Sequence, residues 1–166
     1  MSYIPKYIIK RMFPRKKCLS MVEYEGDEWV KLMMVNVISP IEVPEGEIDL
    51  GGIDLPNKVG EYIDIKVNDI NVEATKEILL NDVILVTDGE VHTWESIFED
   101  GSAGGKTVPV GGKIELLIKK SAFPDEVKDL MEAGEEVEVS VHTTIDNPMD
   151  ITVKAIVQDA GEYSPE

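Results

Sequence analysis

The stretch CLSMVEYEGDEWVKLMMVNVI, residues 18–38, decides how the rest of the chain is read. Its second half, WVKLMMVNVI (29–38), is apolar on both faces and interrupted only by Lys31 and Asn36. A run of that kind is either an interior strand covered on both sides or a buried helix. The β-branched content and the following Ser39-Pro40 favour the strand, because the residue before a proline is pushed into extended geometry. CLSMVEY (18–24) then pairs with it across a turn containing Gly26-Asp27. Both faces are expected in a core, with Met33, Val35 and Val37 on one and Leu32, Met34 and Ile38 on the other.

Outward from this hairpin the same period of two recurs. In YIDIKVNDINVEAT (62–75) the pair Asn68-Asp69 tolerates the left-handed backbone of a tight turn, and in NDVILVTDGEVHTW (81–94) Asp88-Gly89 does the same. KTVPV (106–110) and GKIELLIKK (112–120) read as strands separated by Gly111-Gly112. EEVEVSVHTT (135–144) and DITVKAIVQ (150–158) flank a turn at Asp146-Asn147-Pro148 and make a last hairpin. The segment from Pro40 to Gly60, with three prolines and four glycines, reads as an irregular connection holding at most a short edge strand. HTTIDNPMDITVKAIV (142–157) resembles the Asn-Pro hairpin of late-embryogenesis-abundant water-stress domains, a resemblance that implies the hairpin alone.

One helix is expected near residues 124–133. In SAFPDEVKDLMEAGEE (121–136), Pro124 suits the first helical position and Asp125 and Glu126 the N-terminal dipole; Val127, Leu130 and Met131 form a stripe, and Gly134 can close the end. Many short strands and one small helix point to an all-β chain, a β-sandwich of Greek-key or immunoglobulin-like architecture. The expected organisation is a basic N-terminal arm or first element at 1–17, a single sandwich domain at 18–158 and a poorly ordered tail at 159–166.

Charge is distributed unevenly over the 166 residues, whose formal net charge is −17. Lys6, Lys10, Arg11, Arg15, Lys16 and Lys17 fall in the first seventeen positions, which contain no acid. The other 149 residues carry ten cations against thirty-three acids, a net −23. Such a body repels nucleic acid and anionic membrane, so neither is expected as a partner. No apolar run approaches the ~18 residues of a membrane span, and the single Cys18 excludes an intrachain disulfide. A soluble cytoplasmic protein is expected, with a composition rich in Glu, Lys, Ile and Val and holding one Gln that resembles thermophile proteins.

Candidate chemistry is sparse. GSAGGKT (101–107) misses the phosphate-binding spacing, because Asp100 stands where the first Gly belongs and VPVGG follows in place of a helix. His92 and His142 show no metal-binding spacing, and Cys18 lacks a local nucleophile signature although Arg15-Lys16-Lys17 precede it. No catalytic residue, metal or cofactor is therefore expected. Acids and amides in the turns (Asp27-Glu28, Asp49, Asp54, Asn68-Asp69, Asn81-Asp82, Glu99-Asp100, Asp146-Asn147) leave calcium as the least implausible ion.

The expected function is a non-enzymatic interaction or structural subunit that self-associates as a homo-oligomer. A small-ligand or carbohydrate-binding module, with Trp29, Trp94 and tyrosines as stacking surfaces and calcium as an aid, is the alternative, and an enzyme with scattered carboxylates comes third. The expected contact residues are Tyr3, Ile4, Tyr7, Ile8, Lys10 and Arg11. In SYIPKYIIKRMF the spacing fits either a strand or a short helix aligning Ile4, Ile8 and Met12. The segment is read first as the opening strand or an ordered arm of its own domain, next as an arm whose cations face the acidic body of a neighbouring copy, and last as a basic amphipathic membrane helix.

Overall fold

Glu25 and Gly26 both take positive φ, +51° and +83°, and this left-handed pair closes the first hairpin. Tyr24 lies opposite Asp27, so strands β1 (Leu19–Tyr24) and β2 (Asp27–Val35) meet over a two-residue loop whose twist matches their own. The computed structural model describes residues 6–37, 41–42, 63–72, 75–87, 89–94, 96, 107–143 and 149–164. The same turn recurs at Asn68 and Asp69 (φ +48° and +66°), joining β4 (Ile63–Val67) to β5 (Ile70–Val72). Between β6 (Val83–Thr87) and β7 (Glu90–Thr93), Thr87 faces Glu90 and Gly89 takes φ +74°.

Together with β3 (Ile41–Glu42), β8 (Thr107–Val108), β9 (Lys113–Lys119), β10 (Glu136–Thr143), β11 (Met149–Ile156) and β12 (Gln158–Glu162), these strands make the chain mostly β. Among the described residues one sheet has six strands in the order β12-β1-β2-β9-β6-β7, a second has four in the order β11-β10-β4-β5, and β3 pairs with β8. β2 lies inside the six-stranded sheet between β1 and β9, as its two apolar faces require.

The register assigns those faces. Leu19, Met21, Val30, Leu32 and Ile118 share the first face and join Val67, Val137, Val153 and Ala155 of the four-stranded sheet in one core cluster. Val22, Trp29, Ile84, Val86 and Leu117 lie on the opposite face in a second cluster. Met33 is buried on that face, whereas Leu32, Met34, Val35 and Val37 are half-buried; Ile38 lies outside the described residues. The chain crosses from one sheet to the other between β9 and β10.

That crossing contains the expected helix, but only as one turn, α3 (Asp125–Lys128). Pro124 keeps an extended ψ of 152° and so precedes the helix instead of beginning it. Tight i→i+3 bonds, Leu130 N–H to Val127 O and Met131 N–H to Lys128 O, end the helix early. The Gly134 N–H donates to Val157 O and fastens the turn to the start of β12's segment. Val127 and Met131 are buried all the same, so the stripe docks as its spacing implied.

Two other segments differ from expectation, and a third decides between two readings the sequence left open. Residues 158–162 are a strand and not a loose tail: β12 runs parallel to β1 and covers its outer edge, with an irregularity in register at Met21/Val22 where Gly161 takes φ +67°. Residues 6–12, whose spacing fits either a strand or a short helix, are a helix, α1; Ile8 and Met12, four apart, face inward, and Met12 and Phe13 are buried in the first cluster. Finally, KEILLN forms a helix, α2 (Lys76–Asn81), started by the Thr75 hydroxyl, which accepts the Ile78 N–H at 3.2 Å. Of the long connection at 40–60 only β3 is described; the Gly-rich stretch at 101–105 and the Asp146-Asn147-Pro148 turn lie outside the described residues.

Candidate functional site

The two polar interruptions of the founding strand turn out to be its two most committed side chains. Lys31 points to the second face of the six-stranded sheet, where Glu115 of β9 is its diagonal neighbour. Their ion pair spans 3.1 Å, with both side chains largely shielded from water. Tyr163, just past β12, donates its hydroxyl to the other Glu115 oxygen at 2.8 Å, and the Lys31 ammonium lies 5.4 Å from the centre of the Tyr163 ring. Tyr163 meets Tyr24 edge-on at 5.8 Å, and its N–H donates to Glu23 O at 2.8 Å. Burial, then the hydrogen bond to Glu115 and that carboxylate's charge, push the Tyr163 hydroxyl's pKa above the ordinary phenol value.

Asn36 is buried at the end of the same run. Its side-chain amide donates to Val108 O at 3.0 Å and to Pro109 O at 3.3 Å, while its backbone exchanges bonds with Gly111 and Gly112. A Cβ on Gly112 would stand 2.9 Å from Pro109 O, so the close return of the chain onto Asn36 needs a glycine there. The first constellation fastens distant pieces of chain to β2 and the second to the residue that follows it. Long-range register brings Lys31, Glu115 and Tyr163 together; the available signal in the sequence was a pair of opposite charges in the interior of two apolar strands.

A cleft of about 380 Å³ opens beside the first turn, lined by Gly26, Asp27, Glu28, Lys120, Ser121 and Lys128. Its charges cancel: Lys120 pairs with Glu28 at 3.4 Å, Lys119 with Asp27 at 3.7 Å and Lys128 with Asp125 at 3.4 Å. Trp29 is buried, donates its indole N–H to Tyr24 O at 3.1 Å and carries Lys119 over its ring, so it is spent inside the fold and offers no stacking platform. β7 ends at Thr93, which takes Trp94 out of the strand that holds His92.

Cys18 is fully buried, and loss of solvation pushes its thiol up to about 11, away from the thiolate needed for nucleophilic attack. His92 is buried, 3.7 Å from Glu90, and His142 contacts Asp150 through Nδ1. Among the described residues no three His, Cys, Asp or Glu side chains converge as a metal site requires. Of the turn acids, Asp27 and Glu28 are engaged with lysines, and the Asn68 side chain accepts the Glu138 N–H at 2.8 Å. Asp49, Asp54, Glu99, Asp100, Asp146 and Asn147 lie outside the described residues.

The expected contact residues divide. Tyr3 and Ile4 lie outside the described residues. Tyr7, Lys10 and Arg11, at i, i+3 and i+4 of α1, share its outer face, with Tyr7 66% exposed. Ile8 is half-buried and packs against the first cluster. Arg15 donates from Nε to Glu136 at 3.0 Å, and its carbonyl accepts the Ile156 N–H, so the basic segment is tied to the four-stranded sheet.

The outer face of that sheet carries a row of polar side chains. Asp64, Lys66, Glu138, Ser140, His142, Asp150, Thr152 and Lys154 alternate with the inward apolar residues, and the Ser140 and Thr152 hydroxyls lie 3.4 Å apart. No helix among the described residues is long and apolar enough to cross a membrane. Comparison with protein-family models, curated proteins and solved structures returns no match to the chain.

Proposed function

We propose that this chain is a non-catalytic, self-associating subunit built as a β-sandwich of Greek-key or immunoglobulin-like architecture. The shared core cluster, which draws on both sheets, supports the sandwich. The observation that carries self-association is the edge of the four-stranded sheet. β11 is eight residues long, and among the described residues no strand pairs with its outer side. An open strand of that length is a template for another strand.

Helix α1, which packs against β11, adds a face of Tyr7, Lys10 and Arg11 on a body that is otherwise acidic. Opposite charge favours contact with a second copy over contact with nucleic acid or an anionic membrane. Sedimentation velocity across a wide range of protein concentration tests the reading. A species heavier than the 18.4 kDa chain, growing with concentration, is expected. A constant 18.4 kDa species at every concentration overturns it.

A further inference from the structure

The outer edge of β11 has a definite chemistry. The Ile156 N–H leaves the sheet on that side to meet Arg15 O at 2.9 Å. Hydrogen-bonding direction alternates along a strand, so Lys154, Thr152 and Asp150 present their N–H and C=O groups on the same side. Their side chains are exposed and lie on the polar face of the sheet, whereas Val153 and Ala155 are buried. Among the described residues the backbone bond to this side comes from Arg15, at the last position.

From this edge we infer that two copies of the chain join β11 to β11 in antiparallel fashion about a two-fold axis at Thr152, making one continuous eight-stranded sheet from two four-stranded ones. The inference rests on the proposed self-association and gives it a surface and a register. Centred on Thr152, the pairing sets Asp150 of each copy opposite Lys154 of the other, and Thr152 opposite Thr152. All three positions become closely hydrogen-bonded pairs, about six backbone bonds in total. Within one copy Glu138 already lies beside Lys154 and His142 beside Asp150. The outer row therefore reads Glu138, Lys154, then Asp150 and His142 of the second copy, with acid and base alternating. On the inner side Ile151 and Val153 of one copy face Val153 and Ile151 of the other and extend the apolar surface.

Other registers that pair the same outward groups are worse. Centring on Asp150 or on Lys154 places like charges face to face, which destabilises a cross-strand pair. Centring on Ile151 or Val153 leaves both charges opposite neutral residues. The axis at Thr152 alone matches both charges, and a two-fold contact closes on itself and stops at a dimer.

Charge variants of the full chain test the register. Asp150→Lys alone and Lys154→Asp alone each create two like-charge pairs across the axis, and dimerisation should weaken by at least about tenfold in either. An equimolar mixture of the two variants should regain the dimer, because unlike charges then face each other at both positions. Thr152→Cys provides an independent readout that does not depend on affinity. Its Cα lies about 5.5 Å from its mate in a hydrogen-bonded antiparallel pair, within disulfide range. Mild oxidation should yield a covalent dimer from Thr152→Cys and none from Asp150→Cys; the buried Cys18 takes no part.

If the parent self-associates but the charge variants sediment as it does, or Thr152→Cys stays uncrosslinked, the β11 surface is wrong while self-association stands. A parent that remains monomeric throughout overturns both, and leaves the edge to a different protein.

Discussion

The six-stranded sheet hides side chains on both faces and the four-stranded sheet on one, and the polar residues of the two behave accordingly. Lys31, Glu115 and Asn36 sit where a polar group costs most, and each is held by partners from distant sequence: Tyr163, or the carbonyls of Val108 and Pro109. On the four-stranded sheet Asp64, Lys66, Thr152 and Lys154 are exposed and cost the fold little wherever they point. Polar groups on the two-faced sheet hold the chain to itself, while the polar row of the one-faced sheet lies at the surface.

Burying a charge in the two-faced sheet should give the largest effect. Leu117 is fully buried, and Leu117→Asp should yield no soluble folded protein, because an unpaired buried charge exceeds the 5–15 kcal/mol or so that stabilises an ordinary domain. A variant that melts with the parent would show that the second face is open. Next comes Asn36→Ala, which removes one hydrogen bond from the carbonyl of Val108 and one from that of Pro109, the latter keeping the Gly112 N–H, and should cost about 2 kcal/mol in urea unfolding. A loss under about 0.5 kcal/mol would place those carbonyls in contact with water.

Alkaline titration probes the same core. The folded Cys18 thiol ionises near 11 against an ordinary 9.0, so its contribution is complete below pH 9.0 and is lost as pH rises through about 11. Cys18→Ala should flatten that part of the stability-pH curve, measured by urea unfolding from pH 8 to about 11. Tyr163 acts in the same direction: its raised phenol favours folding below the ordinary phenol pKa, and that contribution fades at higher pH. At neutral pH, Tyr163→Phe should lower stability by about 1.5 kcal/mol through loss of a hydrogen bond to a carboxylate. No change on that substitution would mean that the C-terminal strand is held by its backbone alone.

The smallest effect belongs to the other sheet. Ser140→Asp, on the polar face next to Lys66, should shift stability by no more than about 0.5 kcal/mol. A cost comparable to that of Asn36→Ala would mean that this face too is covered.

The residues explain why some of this was legible in the sequence. Turns were readable because Asn68-Asp69 and Asp88-Gly89 act locally, and β2 was readable because ten successive residues repeat one pattern. In SYIPKYIIKRMF, period-two and i, i+4 spacing coincide, and the helix wins where Ile8, Met12 and Phe13 find the core. KEILLN is too short for periodicity to register, whereas at α3 the stripe of Val127 and Met131 marks the helix but not its end after one turn. β12 lacks an apolar pattern; QDAGE is a strand because β1 offers it an edge and Tyr163 anchors its C-terminal end. The Lys31–Glu115–Tyr163 group depends on the alignment of three separate segments, which no local window contains. The outward edge of β11 likewise emerges only once its partner on the other side is known.

Residue-resolved hydrogen exchange at low and high protein concentration tests the division of labour between the sheets most directly. Amides of Val30 and Leu117, inside the six-stranded sheet, should exchange only on global unfolding at both concentrations. Amides of Thr152 and Lys154 should exchange quickly in dilute protein and become protected in concentrated protein as the β11 edges pair. If Thr152 and Lys154 exchange at the same rate at both concentrations while the protein self-associates, the polar face and edge of the four-stranded sheet are not where copies meet, and the account is contradicted.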